Sequence, residues 1–153
     1  MAEIDKFDSE ILRLLQLEGR MSKLDLSERI GLSPAATLRR VRQLEERRLI
    51  RGYAAVLDAH AMERAMTVYV DIALDSERAS ALDAFERAVA LAPEVLECHL
   101  MSGDTDYKLK LAVKDLADYE RVHRRVLASL PHVAKIRSSF SIRSVVQRVA
   151  PMI

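Results

Sequence analysis

Three features of this sequence predict an α+β fold in two parts. Apolar residues recur at helical spacing from Ile4 to Leu44, with a start signal before each of three segments. The chain beyond residue 65 alternates strand-like and helix-like runs in the order βαββαβ. Between them lies a stretch around His60-Ala61-Met62-Glu63 that reads as a link. The expected division is therefore 1–53, a linker at 54–65, and 66–153.

Ile4, Phe7, Ile11, Leu14 and Leu15 predict a first helix over Lys6–Leu17, with Asp5 as N-cap and Gly19 at its end. Ser22, with Asp25 three residues on, is a weak capping box for a short second helix that Gly31 terminates. Ser33 then suits an N-cap and Pro34 the first helical position, where its missing N–H costs nothing. Ala35, Leu38, Val41 and Leu44 form the expected buried stripe of this third helix. Two helices joined by a short Gly-containing turn, behind a leading helix, make a helix-turn-helix. Leu49 to Asp58, with Gly52 among β-formers, reads as a wing or linking strand.

In the second part, Thr67–Ile72 is strand-like, and Leu82, Phe85 and Val89 mark a helix from near Ser76 to before Pro93. Val95–Met101 and Tyr107–Val113 are strands around Ser102-Gly103-Asp104-Thr105-Asp106, a loop with turn chemistry. Tyr119, Val122, Val126 and Leu127 mark a helix ended by Pro131, and Val133–Ile142 is a final strand. The order βαββαβ is the ferredoxin-like unit. Its two helices cover one sheet face, so the other face calls for a partner sheet and hence a dimer, with Val68, Val70 and Ile72 needing cover on one side or the other.

The 153 residues are 50% hydrophobic and 31% charged, as in globular proteins, and no apolar run approaches the ~20 residues of a membrane helix. The opening MAEIDKFDSE is acidic and lacks an apolar core, so a cytoplasmic address is expected. The single cysteine, Cys98, excludes an intrachain disulfide and reads as a small buried apolar residue. Net charge is only +1, but its distribution is uneven. Residues 1–38 hold five basic and seven acidic groups, whereas 39–51 hold six Arg against Glu45 and Glu46. A basic stretch on a helix-turn-helix points to double-stranded DNA.

These residues resemble the Lrp/AsnC (leucine-responsive, feast/famine) family. The resemblance is carried by Asp5-x-x-Asp8-x-x-Ile11-Leu12, Gly19-Arg20, Leu26-Ser27, Gly31-Leu32-Ser33-Pro34, Arg40-Val41-Arg42-x-Leu44-Glu45 and Ile50-x-Gly52-Tyr53. It continues through Glu97-Cys98-His99, Ser102-Gly103-Asp104-x-Asp106-Tyr107 and Leu130-Pro131-x-Val133, and so spans nearly the whole chain. It implies an N-terminal winged helix-turn-helix reading DNA and a C-terminal ferredoxin-like regulatory domain. It also implies homodimers that assemble to octamers, and an amino-acid effector near the contact between dimers.

For DNA, the expected residues are Ser33, Ala35, Ala36, Thr37, Arg39, Arg40, Arg42, Gln43, Arg47 and Arg51. Ala36, Arg39, Arg40 and Gln43 are expected on the face opposite the buried stripe, with Ala36 and Thr37 against thymine methyls and Arg40 a candidate base reader. Arg42 falls nearer the buried flank and suits a phosphate or an internal pair with Glu45; Arg47, Arg48 and Arg51 suit phosphates. The loop Gly103-Asp104-Thr105-Asp106-Tyr107 reads by itself as a hairpin turn. The resemblance makes it an effector site, in which Asp104 or Asp106 accepts an ammonium and loop N–H groups with Ser138 and Ser139 receive a carboxylate. Ser138 and Ser139 also fit ordinary strand polars.

The four histidines are scattered, so neither a metal nor a cofactor is expected. No nucleophile set, phosphate loop or acid pair stands out. The competing reading is an enzyme, since sirohaem decarboxylases share this two-domain organisation; the Arg39-Arg40-x-Arg42 cluster on a capped helix favours the regulator.

Overall fold

The computed structural model describes residues 4–148, which divide into two compact units. One takes in residues 4–56 together with 146–148; the other is Leu57–Val145.

The first unit begins with α1 (Lys6–Leu17), α2 (Lys23–Ile30) and α3 (Pro34–Glu46). Each starts on the side chain that its sequence offers. Asp5 Oδ1 accepts the Asp8 N–H at 2.8 Å, Ser22 Oγ the Asp25 N–H at 3.0 Å, and Ser33 Oγ the Ala36 N–H at 3.2 Å. Ser22 Oγ also donates to the Asp25 carboxylate at 2.7 Å. Gly31 closes α2 in the left-handed region, φ 70°, where a Cβ would be strained. Ile11, Leu26, Val41 and Leu44 are fully buried, with Leu12, Leu14, Met21 and Ile30 around them. The wing or linking strand expected over Leu49–Asp58 is not a strand here: residues 49–58 carry no strand pairing.

The second unit contains β1 (Met66–Leu74), α4 (Ala79–Ala90), β2 (Val95–Leu100), β3 (Tyr107–Val113), α5 (Leu116–Arg125) and β4 (Val133–Phe140). The sheet order is β2-β3-β1-β4, with all neighbours antiparallel. α4 starts later than the expected Ser76, because Ser76 Oγ accepts the Arg78 N–H at 3.3 Å in a turn before the helix. After α5 a short 3-10 turn, Leu127–Ser129, leads to Pro131.

Val68, Val70 and Ile72 face the helices and are fully buried with Phe85, Val122, Leu109 and Leu111. The opposite sheet face is not an apolar surface. Its paired residues include Tyr69, Asp71, Lys108, Lys110, Arg137 and Ser139, with Lys108–Asp71 at 3.0 Å and Lys110–Glu97 at 2.7 Å. The expectation that uncovered valines call for a partner is thus corrected: period-two alternation puts them all under α4 and α5.

Tyr107 anchors this core. Its ring lies 4.5 Å from that of Phe85, and its hydroxyl donates to Glu86 Oε1 at 2.8 Å. Burial, then the Glu86 carboxylate, push the phenol well above its ordinary range. A raised pKa contributes stability that is full below the unfolded value near ~10 and is lost as pH climbs through the folded value. Tyr107→Phe is expected to cost about 0.5–1.5 kcal/mol at neutral pH by removing one hydrogen bond. It should also flatten the alkaline decline of stability seen in urea melts of the unsubstituted protein above pH ~10.

Candidate functional site

The phase of α3 is set by what lies beneath it. Thr37, Val41 and Leu44 are its buried residues, so the inward stripe begins at Thr37 and not at Ala35. At about 100° per residue, that choice turns Ala35, Leu38, Arg39, Arg42, Gln43 and Glu46 outward together. These six line one shallow surface recess. Arg39 and Arg42 have no ion-pair partner among the described residues, and both are exposed. Arg42 therefore belongs to the open face and not to the buried flank. Ser33 is engaged as the N-cap, and Ala36 is only half exposed.

Three of the expected DNA residues, Thr37, Arg40 and Arg47, are placed elsewhere. Thr37 is fully buried, and its Oγ1 has no hydrogen-bond partner, so it cannot meet a thymine methyl. Arg40 lies off the open face. Its Nη1 sits 2.7 Å from Asp5 Oδ2 and 2.8 Å from Asp8 Oδ1, and its guanidinium lies 5.3 Å from the centre of the Phe7 ring. Those carboxylates raise the Arg40 pKa; in return Asp5 is held below its ordinary value, first by the Asp8 N–H and then by Arg40. Arg47 Nη1 lies 3.8 Å from Asp8 Oδ2. Arg51 and Arg48 are exposed and share a second recess with Glu45, Ile50, Gly52 and Tyr53, whose hydroxyl donates to Glu45 at 3.0 Å. The sequence signal for the Arg40 pairing was the acidic first turn of α1, which spacing within one helix does not reveal.

In the second unit the loop between β2 and β3 is clipped to the end of β1. Asp106 Oδ2 accepts the Leu74 N–H at 2.7 Å, its own N–H donates to Ile72 O at 3.0 Å, and its carbonyl accepts the Met101 N–H at 2.8 Å. Asp106 is therefore a structural tie, and Tyr107 a core residue. Gly103 and Asp104 remain exposed at the crest, and Thr105 is half buried. Ser138 Oγ makes a short hydrogen bond with the Tyr119 hydroxyl, whereas Ser139 lies on the other sheet face opposite Tyr69. β4 packs beside β1 and not beside the hairpin, so the two serines and the crest do not converge within one chain.

A groove of about 450 Å³ runs between α4 and β2. Val89, Val95, Leu96 and Leu100 supply apolar walls, and Glu86, Cys98 and the Tyr107 hydroxyl supply polar groups. Burial pushes the Cys98 thiol up to about 11, which suits a packed, unreactive side chain. Among the described residues no cluster of His, Cys, Asp or Glu could hold a metal, and no helix is long and apolar enough to cross a membrane.

Residues 4–51 match the winged helix-turn-helix DNA-binding model, and residues 67–151 match the Lrp/AsnC ligand-binding domain. The chain belongs to the Lrp/AsnC family. It is 45% identical over 151 residues to the Bkd operon transcriptional regulator of Pseudomonas aeruginosa, covering 99% of each chain. It is 40% identical over 136 residues to the leucine-responsive regulatory protein of Escherichia coli K12, covering 89% of this chain and 83% of that one. The fold is similar to that of a Neisseria meningitidis transcriptional regulator solved with L-methionine, with TM-score 0.91, 32% identity, and 96% and 95% of the two chains covered. This Lrp/AsnC chain is a DNA-binding transcriptional regulator, and these relatives lend nothing to the tetrapyrrole decarboxylase reading.

Two substitutions separate the faces of α3. Arg39→Ala is expected to weaken binding to a specific duplex by about 1–3 kcal/mol in gel-shift titrations. Thr37→Val should leave DNA affinity unchanged and raise stability by about 1 kcal/mol, since it removes a buried unpaired hydroxyl. A thermal melt shifted downward by Thr37→Val would show that the hydroxyl has a partner.

Proposed function

We propose that this regulator reads duplex DNA with the Ala35, Arg39, Arg42 and Gln43 face of α3, and that a small amino acid alters its assembly or its DNA affinity. The observation that carries the first half is the unpaired Arg39–Arg42 pair on an open helix face, beside an Arg40 engaged internally. Arg and Gln on such a face pair with guanine and adenine edges in the major groove, while Arg48 and Arg51 reach phosphates. The regulator works in the cytoplasm as a homodimer, with octamers as the larger assembly. A two-fold protein suits a pseudo-palindromic site. The sheet face bearing Lys108, Asp71, Lys110 and Glu97 offers both charge signs for a partner related by two-fold symmetry.

The effector site proposed here is the base of the β2–β3 hairpin. Leu100 and Tyr107, which flank the Gly103–Asp104 crest, also line the α4–β2 groove, so the groove reaches the foot of the loop. Its apolar walls suit an aliphatic side chain and its Glu86 carboxylate suits an ammonium, with Asp104 exposed on the crest above as a second acceptor. The L-methionine bound by the Neisseria relative is a ligand of this class.

The test is isothermal calorimetry of the full chain against each of the twenty amino acids, followed by DNA titration with and without the binder. A small aliphatic or thioether amino acid is expected to bind, and to change DNA affinity by roughly 5–150-fold, the span of a typical coupling energy. Asp104→Ala should weaken that amino acid while leaving effector-independent DNA binding intact. Twenty flat titrations would make the regulator independent of amino acids.

A further inference from the structure

The six arginines of residues 39–51 do not present themselves alike. Arg39, Arg42, Arg48 and Arg51 are exposed, with no ion-pair partner among the described residues. Arg40 and Arg47 are drawn onto the first turn of α1. The group that draws them is Asp8, whose side chain is 10% exposed and whose two oxygens serve different arginines: Oδ1 meets Arg40 and Oδ2 faces Arg47. Asp5 supplements it with Oδ2 on Arg40, while its Oδ1 caps α1. Phe7 lies against the same guanidinium. A nearly buried carboxylate that lost its arginines would be left desolvated and uncompensated, so a DNA phosphate cannot take Arg40 away without that cost.

We propose that Asp8 and Asp5 determine specificity by withholding Arg40 and Arg47 from DNA phosphates. The idea rests on the reading that this unit binds DNA, and the physics is a difference between two modes of binding. Non-specific binding comes almost wholly from cations neutralising phosphates in any register. Specific binding adds contacts to base edges, which the Arg39–Arg42 face makes. Every arginine left loose beside that face strengthens the first mode on all sequences. Two arginines tied back to α1 lower it while leaving the reading face intact, so the ratio between modes rises. Arg40 is on this account a positioning residue: it joins α3 to α1 and does not touch DNA.

The decisive measurement is the salt dependence of affinity for a random-sequence duplex and for the genomic fragment that the unsubstituted chain binds best, at equal length. Each phosphate contact contributes a slope of about −0.9 in log affinity against log salt. Asp8→Asn, which removes one of the two carboxylates on Arg40 and the one that faces Arg47, should steepen the random-duplex slope by about one such contact. It should raise random-duplex affinity roughly eightfold per recovered contact at 0.1 M salt, and raise specific affinity less. Asp5→Asn keeps the cap on α1 and so tests the same point if Asp8→Asn unfolds. Adding Arg40→Gln to either variant should reverse part of the gain, which a purely structural role for the carboxylates would not produce. Slopes unchanged or shallower in folded variants overturn the proposal. A random duplex bound by the unsubstituted chain without salt dependence overturns it together with the phosphate-contact reading.

Discussion

Val68, Val70 and Ile72 are buried on one side of β1 while Tyr69 and Asp71 face the other, and the second unit is organised about that alternation. β1 is an inner strand, hydrogen-bonded on both edges, so neither neighbour can slip without turning its own apolar residues outward. Leu109 and Leu111 on β3 fall opposite Val70 and Val68 and complete the floor on which α4 and α5 rest. The end of β1 also holds Asp106, so the exposed Gly103–Asp104 crest stands on a fixed base.

Much of this was legible because each element carries its own start or stop. Asp5, Ser22 and Ser33 make local hydrogen bonds to N–H groups three residues on, and such contacts depend on nothing distant. Gly31 marks a backbone turn that other residues strain to make. The strands were readable because β-branched and aromatic residues lie between turn-forming stretches. The strand expected within Leu49–Asp58 does not form, for the same reason in reverse. Tyr53, Val56 and Leu57 have β-forming side chains, but a strand needs a neighbour to pair with, and residues 51–58 have none in the structure.

The site was less legible, since its logic runs between segments far apart in sequence. Thr37 is polar and was read as a surface residue, yet it is one of three that set the phase of α3. Ala35 and Leu38 are apolar and were read as core, yet they line the outer recess. Val41 and Leu44 are buried in both readings, but exchanging Ala35 and Leu38 for Thr37 turns the centre of the buried face by about 60°, which brings Arg42 onto the open face and takes Arg40 off it. Arg40 pairs with residues 32 and 35 positions earlier, a link that no period within α3 could disclose. Asp106 and Ser138 were likewise committed to Leu74 and Tyr119, partners that only the sheet order brings near.

The separation of faces on α3 has an evolutionary consequence. Val41 and Leu44 hold the first unit together, whereas Arg39, Arg42 and Gln43 contribute nothing to its core. Exposed helix positions of this kind accept exchange at small cost in stability, while buried ones do not. On the proposed reading, in which those residues meet base edges, a lineage can rewrite the operator its regulator prefers through a few outward residues without disturbing the fold. The same architecture can then be passed to a new set of genes by changing what it reads and keeping what it is built on.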